Sequence, residues 1–599
     1  MPARLDSLPK QRLTLLALLV VTTAAAGLRF ASLRSVPLDP FYDAAVRSMS
    51  LSWHNLFFGA FEPGGSVSID KPPVDLWLQV LSVKLFGFGS AQLKLPQALA
   101  GTLAVPLLFD AVRRVFGELA GLLSGLTLAL LPIAVLSSRS DTMDSVMMLL
   151  SVAALWMLIR FAQEQRKRWL LGAAAAMGIA FNVKLFQALV PLPAFALLAA
   201  FAIPPRWPAR LRLSALAAFV FVVFALSWLS ATLLFPASDR PYAIGSTNGS
   251  AWNAAFVFNG YDRIAKPAGA ADLSGAPDGP RRAPANNSEV ARAQVPIGKP
   301  GLLRLWDHDG PLSGLRLGYL LLPALLFGVP ALIRSVRWPA GDVPTERPAA
   351  IALLLWLATG LVLFSAMARL HPRYVEGFTP AVAAAAGIGL AWASRAQGHR
   401  RALFIAGGAI ASALYAQYLI GGTVLALTLV ACAATIASCL LLRRTAALAA
   451  ATNTLALALP VQVAIGLVRH SESDAGRVGF MRPSQVTALS DYLRAHQGTA
   501  RYEFATAAAT QAASVIVRDA RPVLVLTSFA GQRLVDVARL SRLVSQQQVR
   551  YALLGGDCGP HQSSKLPSCS PAAAWVRSHG VDVSRAAGLA RARILWRLR

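Results

Sequence analysis

Between residues 13 and 467 the chain alternates long apolar runs with short polar connections. The runs fall at 13–30, 94–112, 118–136, 142–161, 169–181, 184–202, 212–234, 314–333, 349–368, 376–394, 400–419, 421–441 and 445–467. Most match the ~20 residues that a helix needs to cross a bilayer core of roughly 30 Å. In lipid every backbone N–H and C=O must be satisfied within the protein. Runs of this length do that as helices, not as the short alternating strands of a barrel. About thirteen helical spans are therefore expected, the fifth of them short. After Arg469 the pattern changes. "PSQVTALSDYLRAH" is a polar, soluble helix pattern, "PVLVLTSF" and "VRYALLG" are strand-like, and "SPAAAWVRSHG" is a helix pattern that starts with Ser570 before Pro571. The expected organisation is a short N-terminus (1–12), a multi-span membrane domain (13–468) with large connections at 31–93 and 235–313, and a C-terminal α/β domain (469–599).

Charge orients the spans. With the N-terminus in the cytoplasm, the inner loops hold Arg113 and Arg114, "EQRKR", "PPRWPARLR", "RSVRW", "RAQGHRR", and Arg443 with Arg444. All are short and basic, as the positive-inside bias requires. The connections at 31–93 and 235–313 and the whole 469–599 segment then lie outside. Composition fits this reading: 55% of the 599 residues are hydrophobic and only 14% charged. The net charge of +28 is dispersed in clusters between apolar runs. It is not the continuous basic face of a nucleic-acid binder. The first apolar run resembles a signal peptide, but its length and the spans that follow favour a retained helix.

Four cysteines are too few for a disulfide scaffold. Cys432 and Cys439 lie in an apolar run and read as small buried residues. Cys558 and Cys569 bracket a polar loop in the exported tail, where an oxidising compartment permits a bridge; unpaired or metal-binding thiols are the alternative, with His561 nearby. A divalent metal is possible, and no cofactor is certain.

On this topology, polar groups far apart in sequence converge on the outer membrane boundary. Asp39 and Asp43 are four residues apart, on one face if the segment is helical. Asp70, Lys71 and Asp75 share the same outer connection. Asp141 and Asp144 open the fourth span beside Arg139, and Lys184 opens the sixth after Asn182. Arg369, His371, Arg373, Tyr374 and Glu376 form the turn before the tenth. Each also has an ordinary structural use. An Asp at a helix start caps it, Lys71 can snorkel, the following prolines can end a helix, and His371 can simply pack. Ionic groups near membrane depth are costly, however, so their clustering points to transport, signalling or catalysis.

Several of these segments carry a resemblance. They are "PFYDAAVRSMSLSWHNLFFGAFEPGGSVSIDKPPVDLWLQ" (40–79), "SSRSDTMDSVMMLL" (137–150), "GIAFNVKLFQA" (178–188), "PASDRPYAIGSTNGS" (236–250), "FNGYDR" (258–263) and "HPRYVEGFTPA" (371–381). In this order they resemble the ArnT/protein O-mannosyltransferase superfamily, the polytopic α-helical GT-C glycosyltransferases, and more closely the bacterial mannosyltransferases of the YkcA/YkcB type. The resemblance implies a GT-C fold and transfer of a sugar from a polyprenyl-phosphate donor on the outer face of the membrane. In the family's first outer loop an acidic pair precedes a tyrosine. That register puts Leu38 at the first acidic position, Asp39 at the second and Tyr42 at the tyrosine, with Asp43 an extra carboxylate. The base is therefore Asp39 or Asp43. The family's acidic-Lys-Pro-Pro motif falls on Asp70, Lys71, Pro72 and Pro73, and its second acidic site on Asp144, with Asp141 one turn earlier.

The chemistry gives these residue types a reason to meet. A departing prenyl phosphate calls for cations, which Lys71, Lys184 and Arg373 can supply, with His371 binding phosphate or tuning Arg373. An incoming hydroxyl calls for a carboxylate to take its proton, and Asp144 would orient the acceptor or hold a cation. Tyr42, Asp70, Asp141, Asn182, Tyr242, Asn259 and Tyr374 are candidates to bind substrate. Direct displacement with inversion is implied by the resemblance. The partners would be the prenyl-linked donor, membrane lipids and an envelope glycan, lipid or protein as acceptor. The alternatives are a transporter or flippase for a lipid-linked saccharide, and a noncatalytic envelope-assembly protein. The 235–313 connection also holds "NGS" and "NNS", weak glycosylation matches, and the tail is expected to recognise the acceptor without chemistry of its own.

Overall fold

The computed structural model describes residues 7–204, 206–265, 300–308, 314–339, 343–368, 370–395, 398–421, 445–474, 478–528, 531–555, 558 and 566–599. Arg369, Cys432, Cys439, Arg443, Arg444, His561, the sequon at 286–288 and all but the first residue of the 421–441 run lie outside them. The chain divides into two compact units, each discontinuous in sequence.

The first unit comprises the described residues of Met1–Val36, Lys94–Leu226 and Ile297–Asp474. By length and composition, nine helices among the described residues of the whole chain can cross a membrane, or ten if one bent pair counts as a span. The bent pair is Glu118–Leu130 with Pro132–Ser138, turned by 59°. Pro132 causes the break, because it lacks an N–H and pushes the preceding residue out of the α region; Leu131 is extended, at φ −60° and ψ 112°. Leu192–Ala202 and Thr379–Ser394, on the expected sixth and tenth runs, are apolar but shorter helices. The sixth run is shortened because its first residues, Leu185–Leu189, form a 3₁₀ turn that continues the preceding helix. Thr379–Ser394 runs through the core of the unit and packs on Glu118–Leu130. Its small residues allow this. A Cβ on Gly387 would overlap the Ser124 backbone, and Ser124 Oγ reaches the Ala384 carbonyl at 3.3 Å.

The second unit comprises the described residues of Pro37–Leu93, Ser227–Pro296 and Ala475–Arg599. Residues 475–599 share one compact unit with parts of both large connections. The helix Pro40–Met49 packs on Ala513–Asp519 of the tail, and all of its residues but Arg47 are buried. Two short strands, β1 (Val67–Ser68) and β2 (Tyr242–Ala243), pair in parallel and join the two connections. The tail itself forms a five-stranded sheet from β3 (Ala505–Ala508), β4 (Leu524–Thr527), β5 (Tyr551–Leu553), β6 (Gly580–Asp582) and β7 (Leu595–Leu598). The order is β4-β3-β5-β7-β6, with β3 parallel to β4 and β5, and β7 antiparallel to β5 and β6. Its core includes Leu524, Leu526, Leu540, Val544, Val576 and Trp596. Asp536 and Ser570 cap the helices Val537–Ser545 and Pro571–His579, as expected for Ser570. Cys558 and Cys569 are bonded to each other.

One buried acid makes this sheet pH-sensitive. Burial, reinforced by the neighbouring Asp519 carboxylate, pushes Glu503 up to about 8. Between pH ~4.5 and ~8 the folded tail thus keeps a proton that the unfolded chain releases, so its stability falls as pH rises through that window. Glu503→Gln should remove this slope. Hydrogen exchange of β3 and β4, corrected for intrinsic rates, will test it; an unchanged slope would acquit Glu503.

Candidate active site

In the second unit the candidate residues gather around the segment between β1 and the helix Val74–Phe86. Asp39 is the N-cap of Pro40–Met49; its Oδ1 accepts the Phe41 N–H at 3.1 Å, so it performs the capping role open to it in sequence. Asp43 lies one turn on, fully buried. Lys71 donates to both oxygens of Asp70 at 2.8 Å and to the Tyr42 hydroxyl at 3.3 Å, and its Nζ stands 5.7 Å from the centre of the Tyr42 ring. Burial works against the Asp70 charge, but the Lys71 ammonium outweighs it, and Arg263 and Asn259 add to that. Asp70 is held below the ordinary carboxylate range. Asn259 sits in a π-helical stretch, Ala254–Tyr261, and its amide donates to the Asp70 carbonyl at 2.7 Å. Asp75 accepts from Gln79 within its own helix. Tyr242 is used locally, its hydroxyl donating to the Ser246 carbonyl at 3.2 Å.

In the first unit the candidates occupy helix ends. Lys184, the last residue of Lys167–Lys184, donates to Asp144 Oδ2 at 2.7 Å, and Asp144 is the first residue of Asp144–Glu164. Arg373 Nε is 3.9 Å from the same oxygen. The Lys184 ammonium stands 5.4 Å from the Tyr374 ring centre, and that ring meets His371 edge to face at 5.0 Å. Asp141 pairs with Lys94 at 3.1 Å, both fully buried. Asn182 donates to the Phe224 carbonyl of a neighbouring helix, which binds it to the scaffold.

Several buried charges lie outside the candidate set. Arg29 donates to the carbonyls of Ala25, Leu128 and Ala129, and Arg139 to those of Leu28, Arg29 and Ala31. Asp474, just beyond the last apolar helix, accepts from the Arg373 backbone N–H at 3.2 Å and from its guanidinium at 3.3 Å. Its own N–H donates to Ser140 Oγ at 2.7 Å. The available signal was an acid directly after a span, in "SESDAGR". Among the described residues no group of three or more His, Cys, Asp and Glu side chains is arranged to hold a metal ion.

The Asp144 group gives a stability prediction. Asp144→Ala removes the carboxylate that Lys184 donates to and that stands near Arg373, and removing one partner of a buried ion pair typically costs about 3–5 kcal/mol. Unfolding of the purified protein in detergent should show a large drop in midpoint. A shift too small to resolve would mean that other groups neutralise these cations.

Residues 70–228 match the family model described as "Dolichyl-phosphate-mannose-protein mannosyltransferase", and residues 489–579 the one described as "Putative mannosyltransferase YkcB-like, C-terminal". The chain is 26% identical to the "Putative mannosyltransferase YycA" of Bacillus subtilis, over 95% of this chain and 94% of that one. It is 33% identical to the "Putative mannosyltransferase YkcB" of the same organism over a smaller part, 43% of this chain and 36% of that one. Among solved structures it is similar to apo ArnT from Cupriavidus metallidurans, with a TM-score of 0.54 and 18% identity, covering 99% of this chain and 98% of that one. At that identity the likeness is one of fold. The helical architecture and the small C-terminal sheet are those of the ArnT fold, and in sequence the chain is similar to putative mannosyltransferases of the YycA and YkcB types.

Proposed function

We propose that the protein transfers a sugar from a polyprenyl-phosphate donor to a cell-envelope acceptor at the outer face of the cytoplasmic membrane, with the tail extracytoplasmic. The observation that carries this reading is the buried Asp144–Lys184–Arg373 group at the ends of apolar helices. Ionised side chains are costly there and are kept for function. Two cations around one carboxylate oxygen suit a phosphate that gains charge as its sugar leaves. The names of related structures support the choice of donor: ArnT from Cupriavidus metallidurans binds undecaprenyl phosphate, and an archaeal oligosaccharyltransferase of similar fold, with a TM-score of 0.50, binds a dolichol phosphate.

In this reading the acceptor hydroxyl oxygen attacks the anomeric carbon while the bond from that carbon to the phosphate oxygen breaks, with inversion. Asp39 or Asp43 takes the hydroxyl proton, and the prenyl phosphate leaves with the bonding electrons. Lys71 is the first candidate to serve the phosphate, with Lys184, Arg373 and His371 as further candidates. Tyr42, Asp70, Asn259 and Tyr374 hold Lys71 and Lys184 in place.

Purified protein in liposomes, given radiolabelled polyprenyl-phosphate mannose with glucose, galactose and arabinose donors in parallel, tests the reading. Covalent transfer of label to envelope acceptors is the expected result. Movement of donor across the bilayer without transfer would replace it with transport, and the absence of both transfer and movement would favour an assembly role.

A further inference from the structure

Glu62 lies between the two candidate acids of the helix Pro40–Met49 and the Asp70–Lys71 pair, and it is fully buried. Its carboxylate accepts the backbone N–H groups of Gly64 at 2.6 Å and Ser66 at 2.5 Å, closing a tight turn just before β1. A third N–H comes from far along the chain: Val523, the residue before β4, donates to Glu62 Oε2 at 3.4 Å. The turn is shaped for this neighbour. A Cβ on Gly64 would lie 2.9 Å from Glu62 Oε2 and 3.3 Å from Pro522 Cβ, so only glycine fits without displacement. Gly65 then takes φ +73°, a conformation that favours glycine.

From this turn the chain runs directly to the candidate site. Ser66 and Ser68 accept the N–H groups of Tyr242 and Ile244 through the β1–β2 pairing, and Asp70 and Lys71 follow. On the other side, Ser48 Oγ donates to the Phe61 carbonyl, tying the turn to the helix that bears Asp39 and Asp43. One buried carboxylate thus joins its own turn to the Val523 backbone, which local hydrogen bonding alone would leave separate.

We infer that Glu62 is a positioning residue: through it, the Pro522–Val523 edge of the C-terminal sheet braces the Asp70–Lys71 segment. This changes the role of the tail. It is part of the support of the candidate site, so its contribution extends to donor handling and is not confined to the acceptor.

The full-length protein in nanodiscs tests the inference with two readouts. The first is hydrogen exchange by mass spectrometry, which does not depend on the proposed sugar transfer. Glu62→Gln keeps the size but replaces one acceptor oxygen with an N–H donor facing N–H groups. It should speed exchange at least tenfold in peptides covering 62–71 and 520–526, with the membrane helices unchanged. Val523→Pro removes the tail's donor at the start of a strand, where proline is tolerated, and should speed exchange in 62–71 without altering that segment's sequence. The second readout rests on the sugar-transfer reading. Glu62→Gln should raise the KM for the polyprenyl-phosphate sugar several-fold more than it lowers kcat, and Glu62→Asp should recover part of the loss. Unaltered exchange in 62–71 in both variants would overturn the brace. Uniformly faster exchange throughout the protein would also overturn it, by reducing Glu62 to a general stability residue. Altered exchange with no transfer by any variant or the parent would retain the brace and remove the transfer reading alone.

Discussion

Asp39→Asn is expected to slow single-turnover transfer by about 10²–10⁴-fold, the range for loss of a general base, while the protein stays folded. The substitution is informative because of where the residue sits. Asp39 caps Pro40–Met49 through Oδ1, and asparagine caps a helix about as well as aspartate. Asn therefore removes the basicity and spares the cap. Asp39→Ala removes both, adding a loss of about 1 kcal/mol in stability. Asp43→Asn is the companion measurement, because the register of the motif leaves both acids as candidates. If Asp39→Asn transfers normally and Asp43→Asn does not, the base is Asp43 and Asp39 is a cap. If both transfer normally, neither acts as the base.

Lys71→Ala should lower transfer by about 10²–10³-fold, the usual effect of deleting one charge-stabilising donor. The lysine is engaged by both oxygens of Asp70 and by Tyr42. It would act on a phosphate while still held in place, as a pre-oriented charge. That arrangement predicts a particular response to Lys71→Arg. The positive charge survives, but a planar guanidinium cannot reproduce a tetrahedral ammonium shared by one carboxylate and one hydroxyl, so rescue should be partial. Donor affinity and the rate of transfer must be measured separately. Normal donor binding with lost transfer assigns Lys71 to the leaving phosphate, and wild-type transfer in Lys71→Ala reduces it to an internal strut for Asp70.

Much of the fold was legible because lipid leaves the chain so few choices. Twelve of the thirteen apolar runs fall on described helices, and a charge-free run of that length has no other way to satisfy its backbone. Helix bends and lengths were less legible, although Pro132 marked the one between Glu118 and Ser138. Among candidate site residues, Lys71, Asp144, Lys184 and Arg373 do lie in buried ionic groups. Asn182 and Tyr242, candidates of the same kind, each donate to a backbone carbonyl. Residue type cannot tell these uses apart, because the deciding partner is a carbonyl with no signature in sequence. Arg29, Lys94, Glu62 and Asp474 were missed for the converse reason. Each has a partner that only the fold brings near: Ala129 for Arg29, Asp141 for Lys94, Val523 for Glu62 and Arg373 for Asp474. The short strands β3, β6 and β7 gave little signal, since "ATAA" carries no hydrophobic alternation.

The discontinuity of the second unit sets a schedule for biosynthesis. Residues 37–93 leave the ribosome roughly 500 residues before β7, which pairs with both β5 and β6. At ~5–20 residues per second, that interval is on the order of 25–100 s. For most of it, the helix Pro40–Met49 lacks the Ala513–Asp519 surface that it packs against, and Glu62 lacks its donor from Val523. A nascent chain therefore inserts most of its membrane helices before the segment bearing Asp39, Asp43, Asp70 and Lys71 can reach its final support. Ribosome stalling or premature termination anywhere before the sheet is complete would leave inserted protein with an unbraced outer loop, a ready target for proteases at the membrane surface.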